Sequence, residues 1–109
     1  MIFVDTWAWL ALANKKDKNH EAAKITYKRI KIETLFTSNF ILDELITLLY
    51  RTVSPDKANL FVESLFSLAE KGQLSIIYMD KDAMMETWRL RKKYKDKPDI
   101  SFTDFTHSP

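Results

Sequence analysis

The chain opens MIFVDTWAWLALA, and no other stretch constrains its fold as much. Ile2, Phe3 and Val4 form a short, continuously apolar run, the pattern of a strand buried in a parallel sheet. Asp5 interrupts the run, and Thr6 is placed to cap a helix that begins Trp7-Ala8-Trp9. A carboxylate where a buried strand gives way to a helix stands at the carboxyl end of a sheet. Open α/β folds keep their ligand crevice there. Asp5 also suits a plainer duty, accepting orphan N–H groups at the helix start.

The remaining pattern alternates strand and helix. Asp17 or Asn19 is placed to cap a helix running to about residue 31, with Ala22, Ala23, Ile25, Tyr27 and Ile30 as packing positions. Residues 34–37, Thr-Leu-Phe-Thr, read as a second strand. Ser38 or Asn39 caps a strongly apolar helix over residues 40–53. Ser54-Pro55-Asp56 is a cap, an N1 proline and a first-turn acid in sequence. The helix it starts carries Leu60, Phe61, Leu65, Leu68 and Ala69, and Gly72 is the stop. Residues 74–79 form a third strand, and Asp80 caps a helix through Met84, Trp88 and Leu90 to about residue 95. Pro98 ends that helix, and Ser101 opens another. Strands alternating with helices predict an α/β fold with parallel pairing and helices on both faces.

Composition narrows the function classes. At 109 residues the chain holds one small domain, residues 1–109. It has no cysteine, which excludes disulfides and thiolate metal sites and suits the cytosol. No apolar run approaches the ~18 residues of a membrane span, and the N-terminus lacks a basic region and a cleavage site. A net charge of +2 does not by itself imply a nucleic-acid binder.

Asp5 needs company to form a site. On the helix at residues 40–53, Ile41, Leu42, Leu45, Leu48 and Leu49 form one apolar arc, with Glu44 at its rim and Asp43 facing water. Near the end, Asp99 precedes Ser101-Phe102-Thr103-Asp104, in which Ser101 and Asp104 resemble a capping box. If these acids converge, mutual repulsion raises their pKa values unless a cation sits among them. Oxygen-only ligands select a hard ion, Mg2+ or Mn2+, which can activate water and support in-line displacement at phosphorus.

Phe3-Val4-Asp5-Thr6, Thr37-Ser38-Asn39-Phe40-Ile41-Leu42-Asp43-Glu44 and Asp99-Ile100-Ser101-Phe102-Thr103-Asp104 together make the chain resemble a PIN domain. Within that family it is similar to the short VapC-like toxins of prokaryotic toxin–antitoxin pairs. The resemblance implies a three-layer α/β/α sandwich with a central parallel sheet. It implies a metal-dependent endoribonuclease of the cytoplasm, an RNA substrate and a cognate antitoxin protein. Asp5, Glu44 and Asp104 would be catalytic and metal-binding, with Asp99 a supporting metal ligand. Such a domain normally continues past the Ser-Phe-Thr-Asp helix into further strands. This chain is therefore expected to be incomplete at its C-terminus, with an open edge on its first strand and a tendency to form homodimers, strand-exchanged ones included.

Substrate contacts are expected from Thr6, beside Asp5, and from Arg89, Arg91, Lys92 and Lys93, part of a basic stretch around Tyr94. That stretch also suits a solvated helix end. His20 and His107 read as surface or capping residues, and Trp7, Trp9 and Trp88 as core or dimer packing. The alternative function is a catalytically impaired PIN module that dimerises or binds antitoxin. Metal titration separates the two, since only a nuclease site is stabilised by the ion. A phosphatase of the haloacid type would want a second Asp at position 7, where Trp7 stands.

Overall fold

Every strand among the described residues runs into a side chain that caps the helix after it. The computed structural model describes residues 2–93, apart from the side chains of Thr87 and Arg91. Strand β1 (Ile2–Phe3) leads through Asp5 into helix α1 (Thr6–Ala13), and α2 (His20–Ile30) follows. Strand β2 (Leu35–Ser38) runs directly into α3 (Asn39–Thr52). Helix α4 (Pro55–Glu70) leads to β3 (Leu74–Ile77), and Asp80 precedes α5 (Lys81–Lys93). Asp5 Oδ1 accepts from Ala8 N–H at 2.9 Å, Ser38 Oγ from Ile41 N–H at 3.2 Å, and Asp80 Oδ1 from Ala83 N–H at 2.9 Å. Each bond satisfies one of the orphan donors of a helix start.

The expected cap of α1 moves by one residue. Thr6 is the first helical residue and is buried, while Asp5, in extended backbone, holds the cap. Aspartate and threonine are both good caps, so local preference leaves the choice open. At α2, Asn19 occupies the cap position without a side-chain bond, and Asp17 Oδ1 accepts from Asn19 N–H at 2.8 Å.

The three strands form one parallel sheet in the order β1-β2-β3. Ile2 pairs with Leu35 and Phe3 with Phe36, while Leu35 to Ser38 pair in step with Leu74 to Ile77. A sheet order that advances in one direction through right-handed connections places the connecting helices on one face. In agreement, α1 packs against α2 and α3, and α3 against α4. Five helices flank the three strands among the described residues, an α/β architecture compatible with the expected three-layer α/β/α sandwich. No described helix is long and apolar enough to cross a membrane.

The core lies between sheet and helix layer. Trp9, Leu10, Leu35, Ile41, Leu42, Leu45, Leu49, Ala58, Leu65 and Leu74 are buried in it. The arc expected on α3 is the buried one, with Leu48 half-buried at its margin. On α4 the inward stripe is Ala58, Phe61, Leu65 and Leu68, at helical spacings of three and four. Leu60 falls off that stripe and is 66% exposed, so it is not a packing residue. On α2 only Ala23, Tyr27 and Ile30 turn inward, while Ala22 and Ile25 face solvent. Gly72 (φ +76) ends α4 as expected, with Gly72 N–H on the Ala69 carbonyl and Gln73 N–H on the Leu68 carbonyl. This is the Schellman pairing, in which glycine meets no Cβ penalty.

Leu49→Ala is expected to cost about 2–5 kcal/mol of unfolding free energy in urea, and Leu60→Ala within about 0.5 kcal/mol. Comparable losses would contradict this packing.

Candidate metal-binding active site

The site is built on the junction of β1 and β2. Val4 N–H donates to the Phe36 carbonyl at 2.9 Å, extending the pairing one step beyond the strand. The Val4 carbonyl accepts from Thr37 Oγ1 at 3.5 Å, and Trp9 Nε1 donates to the same Thr37 oxygen at 3.4 Å. Thr37 is fully buried, and Trp9 is 1% exposed. One hydroxyl therefore serves a strand-end carbonyl and an indole N–H that burial would otherwise leave unsatisfied. Trp9 is fixed from its other side by Phe61 of α4, edge to face with ring centroids 6.4 Å apart.

This arrangement carries Asp5 to the carboxyl edge, level with Ser38 at the end of β2. Asp5 is exposed, and the Ala8 bond engages only its Oδ1. Glu44 lies six residues beyond Ser38 on α3, about 9 Å along the axis at 1.5 Å per residue. It is exposed, as is Asp43, so Glu44 extends from the apolar arc into solvent. Among the described residues no ion pair engages Asp5 or Glu44.

A third polar group at this edge escapes sequence reasoning. Asn39, the first residue of α3, donates from Nδ2 to the Met79 carbonyl at 3.4 Å and accepts from Met79 N–H at 2.8 Å. The pair of bonds ties the start of α3 to the segment leaving β3, and so sets where Asp80 stands. An asparagine beside a serine reads locally as a second cap. The bond spans 40 residues of sequence, and no local pattern signals it.

The basic residues of α5 stand farther off. From Asp80, the helix carries Arg89 to Lys93 about 13–20 Å along its axis. The Arg89 guanidinium bonds Glu86 through Nε at 3.1 Å and also through Nη2. These bonds, and then the pairing of charges, hold the Glu86 carboxyl below its usual range and raise Arg89. Both groups are exposed, so the pair adds little to stability. The Lys92 ammonium lies 5.7 Å from the Trp88 ring centroid. Trp88 and Trp7 are exposed, so of the three tryptophans Trp9 is the core residue. His20 joins helices, with Nδ1 at 2.8 Å from the Ala11 carbonyl. Thr6, grouped with the substrate contacts, is 4% exposed.

Asp5 and Glu44 are hard oxygen donors and fit Mg2+ or Mn2+ in kind. Among the described residues no three acidic or histidine side chains gather around one point. Asp99, Asp104 and His107, and the helix expected from Ser101, lie outside the described residues.

This fold, with its carboxylate at the end of the first strand, belongs to a known class. The PIN domain family model matches residues 2–108, and the chain belongs to that family. Among solved structures it is similar to VapC20 of Mycobacterium tuberculosis, a toxin that cleaves the Sarcin-Ricin loop. The TM-score is 0.75 at 29% identity, over 95% of this chain and 75% of that one. No curated protein sequence matches the chain.

Thr37→Val, which keeps the shape and removes the hydroxyl, is expected to destabilise by about 1–3 kcal/mol, because two buried groups lose their partner. Thr37→Ser keeps the hydroxyl and should lose about 0.8 kcal/mol for the missing methyl. Urea denaturation of both variants checks the order, and a valine variant as stable as wild type would contradict it.

Proposed function

We propose that this chain is a VapC-type toxin, an endoribonuclease that works with Mg2+ or Mn2+. The observation that carries this reading is Asp5, an exposed carboxylate at the end of β1 in a PIN family chain, with one oxygen held by Ala8 N–H. The similarity to VapC20 supports RNA as the substrate. A bound divalent ion supplies charge neutralisation at the phosphate and a lowered pKa for the attacking water.

The chain's residues do the positioning. The first turn of α1 orients Asp5 through Oδ1, and no described hydrogen bond engages Oδ2. Glu44 approaches the same edge from α3, and Asp104 and Asp99 complete the acidic set in this reading. Arg91, Lys92 and Lys93 track phosphates away from the scissile bond, with Arg89 weakened in that duty by Glu86. Thr6 contributes from beneath, as a buried residue that shapes the turn after Asp5.

A cognate antitoxin belongs to the same reading. Between α1 and α2 lies a cleft of about 370 Å3, lined by Ala8, Leu12, Ala22, Ala23, Tyr27 and the exposed Trp7. Such an apolar groove suits an amphipathic helix. A homodimer would have the exposed Tyr78, Met85 and Trp88 as apolar surface to bury.

Asp5→Asn separates capping from chemistry, because asparagine caps as well as aspartate but carries no charge. The variant should match wild-type stability without metal to within about 0.5 kcal/mol. It should cleave RNA at least about 100-fold more slowly, equivalent to about 2.7 kcal/mol. It should also lose the thermal stabilisation that Mn2+ gives wild type, about 2.7 kcal/mol at 100 times Kd. RNA cleavage that persists in this variant, or in wild type under EDTA, would refute the proposal.

A further inference from the structure

The ends of α1 and α3 and the start of α4 enclose a cleft of about 730 Å3. Four cationic residues line it, Lys15 and Lys16 from the connector after α1, Arg51 from the last turn of α3, and Lys57 from the first turn of α4. All four are exposed, and among the described residues none is in an ion pair. No carboxylate lines the cleft. Its inner wall includes the half-buried Val53 and Phe61. The carboxyl ends of α1 and α3 favour the charges of Lys15, Lys16 and Arg51 here, while the start of α4 disfavours that of Lys57. The helix ends do not remove the repulsion among four cations around one space, and a bound anion would. The volume falls within the ~300–1,000 Å3 typical of ligand clefts and exceeds what a lone inorganic anion needs.

We propose that this cleft binds the phosphodiester backbone of RNA at a distance from the scissile bond. The inference rests on the nuclease reading, which already requires a polyanion longer than the acidic centre. The 14 residues of α3 separate the carboxyl edge from this cleft by about 20 Å, or about six nucleotides of a stacked strand at ~3.4 Å each. RNA engaged at the carboxyl edge would reach the cleft only along the side of the molecule. Grip on RNA therefore depends on length, and oligonucleotides too short to reach from the carboxyl edge to the cleft bind without this contribution. The contacts are to phosphate, so they strengthen binding without reading sequence.

The test measures binding of a fluorescent 20-nucleotide single-stranded RNA by anisotropy in EDTA, where chemistry is stopped. Wild type is compared with Lys15→Gln/Lys16→Gln and with Arg51→Gln/Lys57→Gln, each confirmed folded by circular dichroism. Each pair of substitutions should weaken binding about tenfold or more. Each should also flatten the slope of log K against log salt by up to about 1.4, at ~0.7 per lost phosphate contact. A 4-nucleotide RNA should show no such difference between the proteins. Folded variants that bind the long RNA with wild-type affinity and salt slope would overturn this site, and wild-type cleavage of RNA would leave the nuclease reading standing. Displacement of the RNA by polyglutamate of equal charge would also overturn it, by showing a general acidic-polymer site. Wild type that neither binds nor cleaves RNA would bring down both readings.

Discussion

The structure depends on one buried hydroxyl. Thr37 Oγ1 stands between the Val4 carbonyl and the Trp9 indole, and so joins the end of β1, the middle of β2 and the first helix. Strand β1 is two residues long, with few ladder bonds of its own. Its direction past Phe3 is set instead by Val4, bonded through N–H to Phe36 and through its carbonyl to Thr37. Trp9 then clamps α1 onto the sheet and onto Phe61 of α4. Asp5, one residue beyond Val4, has its place because of this node.

From that constraint the chemistry separates by edge. At the carboxyl edge, Asp5, Ser38 and Asp80 each cap a helix, and Asn39 laces the second of these junctions to the third. Helix starts favour anions, and Asp5 of the proposed acidic set stands at one of them. Where α1 and α3 end, three of the four cations of the large cleft gather beside helix ends whose dipoles suit them, while Lys57 stands in the first turn of α4. A parallel α/β layer thus sorts charge without any long-range design, since every strand-to-helix junction points the same way.

Much of this was legible in the residues. The apolar run cut by Asp5, the Ser54-Pro55-Asp56 start and the Gly72 stop are local signals, and each element forms where its signal falls. The inward arc of α3 follows from a 100° periodicity. What periodicity cannot show is whether another element covers a given rim position. Glu44 reads as an edge residue, and because no described element closes over it there, it is exposed. Contacts between distant positions were equally hidden. Thr37 meets Trp9, Asn39 meets Met79, and Lys15 and Arg51 come to line one cleft only after the chain has folded. The acidic set was legible as a family pattern through Asp104, and of its members Asp5 lies at the carboxyl edge, while Glu44 lies farther along α3.

The central claim is that the fold delivers Asp5 and Glu44 to one divalent ion. Anomalous diffraction from crystals of the protein soaked in Mn2+ tests it most directly. The account predicts one strong peak at the carboxyl edge, held by both the Asp5 and the Glu44 carboxylates. No peak there, or an ion held by one of the two while the other points away into solvent, would contradict it.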